Sequence, residues 1–293
     1  MSGMAWIAII AGLIAAAMNA GSSVLQRLAT GKPDSKALFS AQFTRQVTLS
    51  RLFLLGLGLQ TAAFVVQAVA LSNGPLTLVE PLLTTDLIFL LIFIYVHTHV
   101  KAGGREWSGV AAIMLGLSGL FLAAQPQGGQ LRYAALPWII TTTAIGCVVL
   151  AIIFTVRRLP EPRLRGVLAG LAAAAIFALN AALTKLALNQ WQSGGLGQML
   201  TSWPVYGLVV SGIVSLFVMQ NAYGAGPLAI TQPTMEIVEP SISVVIGIAI
   251  FGDSVSHTPL ALSGEIVSAI VLAGGIVALS TSKRIYEAGR QGL

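Results

Sequence analysis

Nine stretches of about twenty apolar residues, joined by short polar connections, decide what this chain can fold into. In lipid the backbone must satisfy its own hydrogen bonds, so a stretch of that length crosses a bilayer as a helix. The stretches fall near 5–26, 52–72, 75–96, 107–124, 135–156, 166–189, 203–222, 227–251 and 260–281. Composition agrees: only 9% of the 293 residues are charged, too few to cover a soluble protein of this size. The expected fold is all-α and polytopic, with nine transmembrane helices and no soluble domain. The single cysteine, Cys147, excludes an internal disulfide and a cysteine-based metal site. The opening "MSGMAW" lacks the positive n-region of a cleavable signal, so the first stretch reads as a retained span.

The net charge of +6 has a placement that argues against a nucleic-acid partner. Fourteen of the sixteen Lys and Arg fall at alternate ends of the stretches, all on one side; Arg132 and Lys185 are the exceptions. The positive-inside rule makes the basic side cytoplasmic, with the N-terminus outside, the C-terminus inside and the cell membrane as the location. The bilayer, with its anionic headgroups, is the partner these charges suit. The first loop, "LATGKPDSKALFSAQFTRQVTLS", reads equally well as an interfacial helix at "KALFSAQFTRQ" or as solvated chain. "QPQGGQ" and "QSGGLG" are turn signals.

The chain also repeats itself. "GLIAAAMNAGSSVLQRLA" from Gly12 aligns with "GLAAAAIFALNAALTKLA" from Gly170, "SNGPL" with "GAGPL", and "SGVAAIMLGLSG" with "SGEIVSAIVLAG". Spans one to four therefore correspond to six to nine. Residues 1–133 form the first four-helix repeat, 134–160 a connecting helix, and 161–293 the second repeat. An odd number of spans separates the partners, so the second copy is inverted, as in many secondary transporters.

These residues resemble the drug/metabolite transporter superfamily: the 4+1+4 plan, "AGSSVLQR" closing span one, the GPL turns and the prolines in spans three and eight. The nearest likeness is the NIPA-type magnesium transporter branch with its bacterial relatives. The common superfamily plan has ten spans, and "TSKRIYEAGRQGL" after span nine fits the nine-span branch better. Alternating access, with magnesium as substrate, is what the resemblance implies.

Charged groups at bilayer depth cost several kcal/mol unless they face protein or water. In span eight, Gln232, Glu236, Glu239 and Ser243 recur at helical spacing as one polar stripe, and in span three Thr77, Glu80 and Thr84 do the same. Span one offers Asn19, Ser22, Ser23 and Gln26, and span six Asn180 and Thr184. Proline cannot donate to the carbonyl four residues back, so Pro81, Pro233 and Pro240 free the oxygens of Thr77, Ala229 and Glu236. The expectation is two repeat-related broken helices lining a substrate or ion site, with Glu236 and Glu239 as its charge-sensing centre and candidate metal ligands. Asp86 sits about 120° around the helix from Glu80, off the stripe. Whether Asp86, Glu265 and Lys185 line the cavity stays open; Lys185 reads as a snorkelling anchor and Glu265 as a solvated end.

The remaining signals are bland. "HTH" at 97–99 lacks a third ligand and reads as loop, and no P-loop motif exists. Ala112/Gly116 and Gly264/Ser268 are small-xxx-small pairs that serve helix packing or a homodimer. No cofactor is expected, and no nucleophile and base fall in a recognisable arrangement, so the chain does not read as an enzyme. Two functions stand. One is a secondary carrier of a small polar or cationic solute, magnesium included. The other is a proton-coupled exporter of a small organic metabolite or drug, with a lipid-headgroup flippase as a remoter option.

Overall fold

The computed structural model describes residues 3–31, 33–34, 36–73, 79, 82–124, 135–251 and 259–291. Its described elements are helices: α1 (Gly3–Thr30), α2 (Ala41–Thr48), α3 (Arg51–Asn73), α4 (Asp86–Thr98), α5 (Gly104–Ala124), α6 (Ala135–Val156), α7 (Pro162–Thr201), α8 (Trp203–Ala225), α9 (Leu228–Ile246), α10 (Pro259–Ser280) and α11 (Lys283–Gln291). Seven of them are long and apolar enough to cross a membrane, and α4 is a shorter apolar helix. Large apolar side chains cover the outside, with Phe64 70% and Leu115 72% exposed. Contiguous apolar surface of this kind suits contact with lipid. The protein is an all-α, multi-pass membrane protein.

The neighbours follow a pattern that occurs twice. Helix α1 packs along α3 and α4; α7 packs along α8 and α9; α5 and α10 pack against each other, and α6 lies on α7. Small residues allow these approaches. A Cβ on Gly56 of α3 would stand 2.8 Å from Gln26 Cγ of α1. One on Gly116 of α5 would stand 2.7 Å from Leu272 Cγ, while Gly119 faces Ser268 and Gly264 faces Ala123. Both small-xxx-small pairs are thus occupied inside the chain, at the α5–α10 contact. The "GAGPL" turn is tighter still: a Cβ on Gly226 would meet Pro162 O at 2.5 Å and Gly166 Cα at 2.6 Å. Backbone cannot step aside as a side chain can, so only glycine fits there.

Local chemistry explains the interruptions. Gly195 has φ +75°, in the left-handed region, and with Gly194 it bends the "QSGGLG" turn out of α7. In the third span, Thr84 and Thr85 form a turn and α4 starts only at Asp86. Helix α9 departs from expectation. It runs unbroken through Pro233 and Pro240, and its irregularity is a π-turn at Gly247–Phe251. The prolines remove two backbone donors without stopping the helix, because neighbouring helices hold it in place.

The first loop is partly helical. Ser40 caps α2 by accepting from the Phe43 amide, and Phe43 and Val47 are buried. Before it, Leu38 is fully buried, and Asn221 of α8 accepts a hydrogen bond from the Phe39 amide. The loop is strapped onto the end of α8.

Candidate functional site

A cavity of about 370 Å³ is lined by Asn19 (α1), Gln67 (α3), Leu83, Thr84, Asp86 (α4), Leu117 (α5), Glu236, Glu239, Pro240 and Ser243 (α9). Two of its carboxylates come from successive turns of α9, and the third from the first residue of α4. Asp86 and Glu236 both line this cavity. Asp86 Oδ1 is buried without a hydrogen-bond partner.

A chain of hydrogen bonds runs from Glu236 on the side away from the cavity. Gln232 Nε2 donates to Glu236 Oε1 at 2.6 Å. The Tyr223 hydroxyl donates to Gln232 Oε1 at 2.8 Å. Its single proton is then committed, so Ser23 Oγ, 3.3 Å away, donates to Tyr223. Helices α1, α8 and α9 are tied together through four side chains.

The chain lies at one end of the cavity. Along α1, Ser23 is a turn nearer the C-terminus than Asn19; along the oppositely running α9, Gln232 is nearer the N-terminus than Glu239 and Ser243. Burial follows the same division. The last turns of α8, Val218 to Ala225, are buried, whereas Tyr206, Val209, Val210 and Ile213 near its start are exposed. Ser22 donates to Gly56 O (2.8 Å) and Gln26 to Gln60 (3.0 Å), closing α1 onto α3 at the same end. The polar bonds that tie α1 to α3, α8 and α9 thus gather where α1 and α8 end.

The sequence-derived site is only partly assembled in this cavity. Asn19, Thr84, Glu236, Glu239, Pro240 and Ser243 line it. Gln232 does not; it orients Glu236 from behind. Pro233 is buried within α9. Asn180 lies elsewhere, in a crevice of about 490 Å³ between α3, α7 and α8, where its Oδ1 accepts from Ser211. Thr184 returns its hydroxyl to the carbonyl of Asn180. Thr77, Glu80 and Pro81 lie outside the described residues. Lys185 places its ammonium 4.2 Å from the centre of the Phe251 ring, and neither it nor Glu265 lines the cavity.

Asp86 was expected off the stripe, from its angle to Glu80 around the helix. The turn at Thr84–Thr85 resets the helical register and brings it round to the cavity that Glu236 lines. Tyr223 carried no usable signal, since a tyrosine at the end of an apolar stretch reads as an interfacial residue. Gln67 could not be separated from a packing amide by sequence.

Among the described residues no group of three or more His, Cys, Asp or Glu side chains is placed to hold a metal ion.

The chain is similar to an uncharacterised protein of Corynebacterium glutamicum, 24% identical over 235 residues, which are 80% of each chain. No family profile matches it, and no solved structure does.

Proposed function

We propose that this protein is a secondary carrier of a small polar or cationic solute across the plasma membrane, working by alternating access. One observation carries the reading: Asp86, Glu236 and Glu239 converge on a cavity that has no Lys, Arg or His in its described lining. Buried carboxylates without a cationic partner are costly in a membrane and mark ion or substrate pathways. The twofold pattern of helix neighbours supports the inverted repeat and the nine-span plan with the N-terminus outside. In that frame the Ser23–Tyr223–Gln232–Glu236 chain is the closed cytoplasmic gate.

Magnesium is the first substrate to test. A hexahydrated ion occupies on the order of 180 Å³, six waters at ~30 Å³ each, and the cavity offers about 370 Å³. Mg²⁺ characteristically keeps several waters and binds through one or two carboxylates. An outer-sphere complex fits the absence of a dehydrated ligand cluster among the described residues.

The gathering of three carboxyl groups, Asp86, Glu236 and Glu239, on one cavity also suits a second reading, a proton-coupled exporter of a small organic solute. A carboxyl there would exchange its proton for substrate. Calorimetry on the purified protein separates the two. A magnesium carrier binds Mg²⁺ and releases protons as it does so. No Mg²⁺ binding at any pH, with uptake of an organic solute driven by a pH gradient in inverted vesicles, would overturn the magnesium reading.

A further inference from the structure

We infer that the cavity where α5, α10 and α11 meet binds a phosphate-bearing anionic headgroup of the adjoining membrane leaflet. This cavity, about 310 Å³, is remote in sequence from the carboxylate site and is lined by Arg105, Lys283 and Arg284 with a single carboxylate, Glu106.

Glu106 is already engaged. It accepts from the Gly103 amide at 2.5 Å and from the Ser282 hydroxyl. Ser282 in turn accepts from the Ile285 amide and caps α11. The one carboxylate thus locks two helix starts together, and three cations remain against it. Their anchors are neutral. Arg105 donates to Ala278 O (3.2 Å) and to the Thr281 hydroxyl, and Arg284 to Lys101 O (3.1 Å). Each guanidinium is held in place while keeping further N–H groups to offer, the arrangement that suits bidentate capture of phosphate oxygens.

The depth is that of a lipid headgroup. Ser280 ends the apolar span of α10, and Gly104 begins α5. Trp107, 42% exposed, stands at the start of α5, where an amphipathic ring marks the membrane interface. Helix α11 buries Ile285 and Ala288 and exposes Lys283 and Arg284, so it lies across the helix ends with its cations outward. A headgroup seated there would brace α5 and α10, one of the pairs through which the two halves touch.

The test is thermal unfolding of the purified protein in neutral detergent. The probes are dioctanoyl phosphatidylglycerol, phosphatidylcholine of equal chain length, and inorganic phosphate. Phosphatidylglycerol should raise the unfolding temperature and phosphatidylcholine should not. K283Q/R284Q should weaken the apparent phosphatidylglycerol affinity roughly tenfold or more, from two lost interfacial cations. Arg284 also bonds backbone, so K283Q alone, which breaks no hydrogen bond, serves as the second variant and should lose part of the shift. K36Q/R51Q removes two exposed cations elsewhere and should behave as wild type. Equal losses in K36Q/R51Q and K283Q/R284Q would reduce the effect to general surface attraction and overturn the site. An equal shift from inorganic phosphate would overturn the lipid as its source, and no selectivity over phosphatidylcholine would overturn both.

Discussion

Replacing Tyr223 by Phe removes one oxygen from the centre of the polar chain and nothing else. The ring stays, so the buried apolar contacts of α8 stay with it. Two hydrogen bonds are lost, the 2.8 Å bond to Gln232 and the 3.3 Å bond from Ser23. Hydrogen bonds between membrane helices average about 0.6 kcal/mol and reach about 1.7. Gln232 Oε1 is also left without a donor, which adds to the cost where it is shielded from water. The sum is about 1–2 kcal/mol, charged entirely to the conformation in which α1, α8 and α9 meet. An opening of this end would lose those bonds anyway, so the closed-to-open ratio should fall roughly 5- to 30-fold. Ser243 lines the cavity beyond the chain and reports on this. In a Cys147→Ser, Ser243→Cys background, Tyr223→Phe should speed labelling by an impermeant thiol reagent from the side that the chain seals, by up to that factor where the open state is rare. Labelling from the opposite side should not rise. Unchanged labelling from both sides, with an unchanged unfolding temperature, would refute the gate and reduce Tyr223 to a packing residue.

Glu239→Gln keeps the side chain's shape and removes its charge, so uptake should be lost while the protein still inserts and unfolds cooperatively; wild-type transport by this variant would return Glu239 to packing. Gly226→Ala should destabilise by about 1–3 kcal/mol, because the new methyl would meet Pro162 O and Gly166 Cα, both backbone; an unchanged unfolding temperature would contradict that contact. Cation binding needs ionised carboxylates, so Mg²⁺ affinity should weaken on acidification, and Glu236→Gln should flatten that dependence; equal affinity in acid and neutral buffer would argue against a carboxylate site. For orientation, in Cys147→Ser protein a cysteine at Ser193 should be labelled from outside and one at Lys36 only after the membrane is opened. The reverse result would invert the topology.

The fold class was legible because lipid imposes one rule on the backbone. Any stretch of twenty apolar residues must satisfy its own hydrogen bonds, and a helix is the local way to do so. A helix falls in each of the nine expected stretches, and the glycine turn at 194–195 was readable for the same local reason. Within α9, helical spacing brought Glu236, Glu239 and Ser243 to one face, since four residues of one helix keep their relation whatever surrounds them. Relations between helices are not local. Whether the prolines would break α9 depended on neighbours able to hold it, and it stays whole. Asp86 came to the same cavity as Glu236 because a two-residue turn at Thr84–Thr85 reset the helical phase just ahead of it. Asn180 aligns with Ser22 in the repeat, yet Ser22 bonds Gly56 of α3 while Asn180 faces another crevice beside Ser211. Ser22 and Gln26 were spent on α3, and Tyr223 became the link between α1 and α9. Sequence determined which residues share a face of one helix. Which faces meet was decided by the close approach of small residues, Gly56 on Gln26 and Gly226 on Gly166, contacts between segments far apart along the chain.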